Sequence, residues 1–129
     1  MQIGHVAERA GLSLRTIRYY EEEGLVIPAT RSAGGFRLYT EADCERLQLI
    51  KQMKPLSFSL DEIRELLHIL DQLGTGARHE VDGPLVGRLH DFAQISEERC
   101  EKLRKQLAAS ASFAEMLKKK LKQASARGA

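Results

Sequence analysis

The chain has 129 residues, 43% of them hydrophobic and 29% charged, which suits one small domain with an attached helix and is too apolar for a disordered tail. No stretch approaches about 18 continuous apolar residues, and MQIGHVAERAG lacks the basic start and apolar block of a signal peptide, so neither a membrane span nor secretion is expected and the cytoplasm is the expected location. The net charge of +2 divides unevenly: from Arg99 onward nine Lys or Arg stand against Glu101 and Glu115, +7 in all, leaving −5 before it.

Ile3, Val6, Ala7 and Ala10 recur at helical spacing and Gly11 ends the pattern. Ser13 then caps a second helix, to Glu22, with Leu14 and Ile17 on one side and Arg15, Thr16, Arg18 and Tyr19 or Tyr20 on a polar face. Two short helices joined through A-G-L-S read as a helix-turn-helix, whose second helix enters the major groove. Arg15 and Arg18 share a face and offer paired donors to guanine or phosphate, whereas Glu21, Glu22 and Glu23 would be repelled by phosphate and mark where the helix leaves DNA. Gly24 is placed to end the helix in a left-handed conformation.

After Gly24 the period changes. LVIPATRSAGGFRLYT carries a turn at Ala33, Gly34 and Gly35 and the alternation of Phe36 and Leu38 with Arg37 and Tyr39, which predicts a short two-stranded wing. Thr40 with Asp43, and Ser59 with Glu62, predict capping boxes that start two further helices. Leu47, Ile50 and Met53, then Leu60, Ile63, Leu66, Leu67 and Leu70, supply the apolar faces that close a unit of about 70 residues.

GTGARHEVDGP, residues 74–84, reads as a linker. Beyond it Val86, Leu89, Ala93, Ser96, Cys100, Leu103, Leu107, Ser110, Ala114, Leu117 and Leu121 keep an unbroken 3-4 spacing over about five heptads. A single helix of that length cannot bury such a seam in so small a chain, so it needs a partner helix. Ile95 and Met116 fall off the seam.

The runs IGHVAERAGLSLRTIRYYEEEGL, RSAGGFRLYT and FSLDEIRELL, in this order, resemble the DNA-binding domain of the MerR family of transcription regulators over roughly residues 1–70. Ser57 departs from the glycine frequent before F-S-L in that family. The resemblance implies a mainly α fold: a winged helix-turn-helix domain (1–73), a linker (74–84), a dimerisation helix forming an antiparallel coiled coil (85–122) and a flexible tail (123–129). It implies that Ser13, Arg15, Thr16, Arg18, Tyr19 and Tyr20 serve the recognition helix, and that Arg31, Phe36, Arg37 and Tyr39 belong to the wing. Tyr19 and Tyr39 read equally as contact or core, and Phe36 leans to core. The implied function is a homodimer on double-stranded promoter DNA, which bends and untwists a long −35 to −10 spacer so that RNA polymerase holoenzyme engages both elements. The alternative is a constitutive DNA-binding or architectural protein.

Cys44 and Cys100 form no C-x-x-C pair, so neither a disulfide framework nor a zinc module is indicated and both are expected as reduced thiols. Cys44 reads as a core residue. Cys100 reads as seam packing or as a redox or electrophile sensor near Arg99, Lys102 and Arg104. His79, His90, Glu80, Asp82 and Asp91 gather near the linker as ordinary solvated groups rather than a metal site. No cofactor is expected. A small-molecule or redox effector would have to bind at the dimer interface. Nothing resembles a catalytic constellation, so an enzyme is not expected.

Overall fold

The computed structural model describes residues 1–27, 30–31, 34–35, 37–75 and 83–128, and of Thr30, Arg31 and Arg37 the backbone alone. The chain divides into two units, residues 1–89 and 90–129. Its elements in order are α1 (Ile3–Ala10), α2 (Leu14–Glu22), β1 (Thr30–Arg31), β2 (Arg37–Leu38), α3 (Glu41–Met53), a 3-10 turn (Lys54–Leu56), α4 (Leu60–Leu73) and α5 (Pro84–Arg127).

α1 ends because Gly11 takes φ +68°, a left-handed conformation that costs glycine little, and the Leu12 amide reaches back to the Ala7 carbonyl at 3.0 Å. Lys51 of α3 crosses this end: its Nζ donates to the Gly11 and Ala10 carbonyls at 3.1 and 3.4 Å, setting a cation at the negative end of α1. A Cβ at Gly11 would stand 2.5 Å from that Nζ, so a larger residue here would displace the ammonium as well as strain the left-handed turn. Arg9 pairs with Glu41, a hydrogen bond that holds the Glu41 carboxyl below its ordinary value.

Ser13 caps α2 by accepting from the Thr16 amide at 3.1 Å. At the far end Gly24 has φ +76°, its amide donates to the Glu21 carbonyl at 3.0 Å, and the Leu25 amide donates to the Tyr20 carbonyl at 2.9 Å. These are the paired bonds of a Schellman motif, so the predicted left-handed stop is present.

The wing is a hairpin of two antiparallel two-residue strands, Thr30 opposite Leu38 and Arg31 opposite Arg37. Gly35 takes φ +81° in its turn. Leu38 also bridges to Gln2, and the Tyr39 amide donates to the Met1 carbonyl at 2.7 Å, so the N-terminal segment lies along the wing's base.

Both predicted capping boxes form: Thr40 with Asp43 at the start of α3 and Ser59 with Glu62 at the start of α4. The core of the first unit holds Val6, Ala10, Ile17, Tyr20, Leu25, Val26, Cys44, Leu47, Ile50, Met53, Phe58, Ile63, Leu67 and Ile69. Cys44 is thus the small buried residue its place on α3 predicts. Two apolar expectations are corrected. Leu14 is 42% exposed and Leu70 36% exposed, because each stands just outside the buried stripe of its helix, and Ile69 is buried instead. Leu60 and Leu66 are half-buried.

Pro84 occupies the first turn of α5, where its missing N–H is no loss, and the Gly87 amide closes that turn on the Gly83 carbonyl at 2.9 Å. α5 runs 44 residues, about 66 Å at 1.5 Å per residue. It continues to Arg127, so the tail expected from residue 123 is helical through Arg127, since QASAR holds no breaker before Gly128. Arg88 pairs with Glu65 of α4, and this hydrogen bond holds the Glu65 carboxyl below its usual range.

Ser57 carries the strain in this unit. It takes φ +60° at the end of the 3-10 turn, where a side chain is disfavoured and glycine is not. Ser57→Gly is expected to raise unfolding stability by about 0.5–1 kcal/mol at an unchanged denaturant slope, the relieved strain being partly offset by a more flexible unfolded chain.

Candidate nucleic-acid interface

The polar face of α2 is set by what its other face buries. Ile17 and Tyr20 point into the core, so Arg15, Arg18 and Tyr19 face solvent, Tyr19 being 45% exposed. Ser13 Oγ and Thr16 Oγ1 stand 2.7 Å apart at the helix entrance, with Thr16 half-buried. This leaves two guanidiniums and one phenol on the outer side of a helix capped at both ends.

Two of the expected contact residues are buried in the first unit. Tyr20 and Tyr39 are each only 2% exposed. Tyr20 packs inward one turn after Thr16, with Lys54 Nζ 5.7 Å from its ring centroid and the Tyr19 ring 5.7 Å away. Tyr39 turns in from the wing and its hydroxyl donates to Glu21 Oε2 at 2.6 Å. Periodicity leaves Tyr19 and Tyr20 ambiguous because they are adjacent on a helix, where only tertiary packing selects which one is buried. Phe36 lies outside the described residues, as do the side chains of Arg31 and Arg37, although the backbone sets Arg31 and Arg37 opposite one another in the wing.

Two of the three glutamates that follow this face make tertiary contacts. Glu21 accepts from Tyr39, tying the wing's base to α2, and Glu23 stands 3.6 Å from Arg64 of α4. Only Glu22 is exposed as the sequence pattern suggests. Sequence reasoning also missed Arg46 and Arg64, whose partners are 21 and 41 residues away, a separation at which no local pattern signals a contact.

Along α5 the predicted seam is half-buried at Val86, Leu89, Ser96 and Cys100. Ala93, Ser110 and Ala114 are exposed, as are Leu103, Leu107, Leu117 and Leu121, at 40 to 70% for the four leucines. Phe113, which the seam pattern passes over, is 59% exposed, three residues after Ser110 and four before Leu117, and it widens the apolar stripe. Met116 is exposed beside it, whereas Phe92 is buried and Ile95 half-buried. Ser96, Glu97, Cys100, Glu101 and Arg104 line an open hollow, in which Arg104 donates to Glu101 at 3.0 Å. His79, Glu80 and Asp82 lie outside the described residues; among the described residues no three potential metal ligands converge and no helix is long and apolar enough to cross a membrane.

Comparison with known proteins gives the same outline. A family model described as MerR HTH family regulatory protein matches residues 1–69, and one described as MerR, DNA binding matches residues 44–124. The transcriptional regulator ZntR of Escherichia coli K12 is 48% identical over 68 residues, 53% of this chain and 48% of that protein. The transcriptional regulator CueR of Escherichia coli O6:H1 is 37% identical over 116 residues, 87% of this chain and 82% of that protein. Among solved structures, HiNmlR, a MerR family regulator lacking the sensor domain and bound to promoter DNA, shares the fold at TM-score 0.64 and 22% identity, over 83% of this chain and 77% of that one. The chain spans about half the length of several curated relatives, ZntR at 48% among them.

Since Tyr39 serves the fold through Glu21, Tyr39→Phe removes a hydrogen bond to a charged, half-buried carboxylate. The expected loss is about 1–2 kcal/mol of stability, read as a lower denaturant midpoint.

Proposed function

The chain belongs to the MerR family of helix-turn-helix regulatory proteins, and from that premise we propose that it is a homodimeric transcription regulator that binds double-stranded promoter DNA through two copies of α2 and its wing. The observation that carries this reading is the outer face of α2: Arg15, Arg18 and Tyr19 exposed together, on a helix whose opposite side is locked into the core. Guanidiniums reach guanine edges or phosphates in pairs of bonds, and a phenol fixes register on the backbone.

Dimerisation is supported by α5. A stripe that exposes Leu103, Leu107, Phe113, Leu117 and Leu121 on one helix is costly in water, and a second α5 laid antiparallel would cover it. Small seam residues at Ala93, Ser96, Ser110 and Ala114 permit close approach. Two DNA-binding units then meet a pseudo-palindromic site from one face. In this reading the dimer bends and untwists a promoter with a long spacer so that RNA polymerase engages both elements. Deforming such a site costs on the order of 1–6 kcal/mol, which the phosphate contacts of two wings offset. An effector, where one acts, binds at the dimer interface, and Cys100 lies on that seam.

Arg18→Ala is expected to weaken binding to the promoter of its own operon by about 1–3 kcal/mol, roughly tenfold to hundredfold, in fluorescence anisotropy at fixed salt. Wild-type affinity in that variant would remove Arg18 from the interface. Leu107→Glu combined with Leu117→Glu is expected to give a folded monomer in sedimentation, because each places a charge within the seam; a persistent dimer would show that α5 is not the interface.

A further inference from the structure

Two arginines from different helices meet at the exit of α2. Arg46 of α3 donates through Nε to the Leu25 carbonyl at 2.5 Å, and through Nη1 to both carboxylate oxygens of Asp71 on α4 at 2.8 and 3.1 Å. Arg64 of α4 donates through Nη2 to the Glu23 carbonyl at 3.0 Å and through Nη1 to Asp61 at 2.9 Å, with the Glu23 carboxylate 3.6 Å away. The next residue, Glu65, takes Arg88 from the first turns of α5. Between Asp61 and Asp71, α4 therefore holds both the end of the recognition helix and the start of the long helix.

The packing explains why these side chains matter. α1 packs on α2 and on α3, and α3 packs on α4, so α4 reaches the end of α2 through the two guanidiniums rather than through an extensive shared face. The Glu23 carbonyl, at the C-cap of α2, carries the negative end of the dipole and attracts the Arg64 cation, while Arg46 holds the chain two residues on, past the left-handed Gly24. A guanidinium is suited to this place because its fork binds a carbonyl and a carboxylate at once, which an ammonium does not reproduce in one plane. The side chains are 27% exposed at Arg46 and 46% at Arg64, and ion pairs this accessible contribute little to global stability. Their effect is on orientation.

We propose that Arg46 and Arg64 are positioning residues that fix the exit of α2 to α4, and that with the Glu65–Arg88 pair they make α4 the beam that sets the angle at which α2 is presented to DNA. The proposal rests on the reading of α2 as the DNA-facing helix, but its first test does not need DNA. The Gly24 and Leu25 amides bond to the Glu21 and Tyr20 carbonyls, and their hydrogen exchange reports opening of the helix exit that the two arginines hold through the Glu23 and Leu25 carbonyls. Arg64→Gln and Arg46→Gln are expected to speed exchange at these two amides at least tenfold while leaving α1 and α3 unchanged. Arg64→Lys and Arg46→Lys, milder changes that keep the charge, should recover less than half of that protection.

The second test uses a duplex spanning the promoter of its own operon, labelled at both ends for energy transfer. Arg64→Gln and Glu65→Gln are expected to keep affinity within about threefold of wild type, since neither residue belongs to the contact set, yet to shift the end-to-end transfer efficiency of the bound duplex. Unchanged exchange at Gly24 and Leu25 in both Gln variants overturns the clamp, and equal acceleration in α1 and α3 overturns it in favour of general destabilisation. Altered exchange with an unaltered bound-DNA shape overturns the role of α4 in presentation. A wild-type protein that binds no promoter duplex would instead defeat the functional reading, while the exchange result would still stand or fall alone.

Discussion

Burial of Ile17 and Tyr20 is the constraint on which this structure turns. Burying two side chains of that size contributes about 1.5–3 kcal/mol each, more than the exposed polar face of α2 can offset by rotating. Once both are inside, the helical period leaves Arg15, Arg18 and Tyr19 outside. The core therefore decides which chemistry α2 shows to a partner. Ser13 at one end and Gly24 at the other limit the helix to the length over which that division holds.

Around α2 the polar groups act as fasteners rather than as a charged coat. Tyr39 reaches Glu21 from the wing, Lys51 covers the exit of α1, and Arg46 and Arg64 gather the exit of α2. Each joins segments that apolar packing alone leaves loosely related, because helices this short have few side chains to interdigitate. A glutamate run that reads as electrostatic repulsion in one dimension is, in three, largely a set of attachment points for the wing and α4.

α5 follows a different logic. Leu103, Leu107, Leu117, Leu121 and Phe113 stand exposed along a helix of about 66 Å. A surface of this kind is stable in water when another helix covers it.

Much of the architecture is legible in the sequence because its signals are local. The Ser13, Thr40 and Ser59 caps, the glycine stops at Gly11 and Gly24, the α3 stripe of Leu47, Ile50 and Met53, and the long 3-4 spacing of α5 each depend on residues a few positions apart. The ordered motifs from Ile3 to Leu67 likewise disclose the family without coordinates. What needed the tertiary structure was every choice between neighbours and every long-range polar contact: Tyr20 rather than Tyr19 in the core, Tyr39 turned inward to Glu21, Ile69 buried while Leu70 is exposed, and Arg46 and Arg64 at a helix exit far away in sequence. A one-residue step on a helix turns a side chain by about 100°, which hydrophobicity alone does not resolve for adjacent apolar residues, and a contact across 41 residues exists only after packing has brought its partners together.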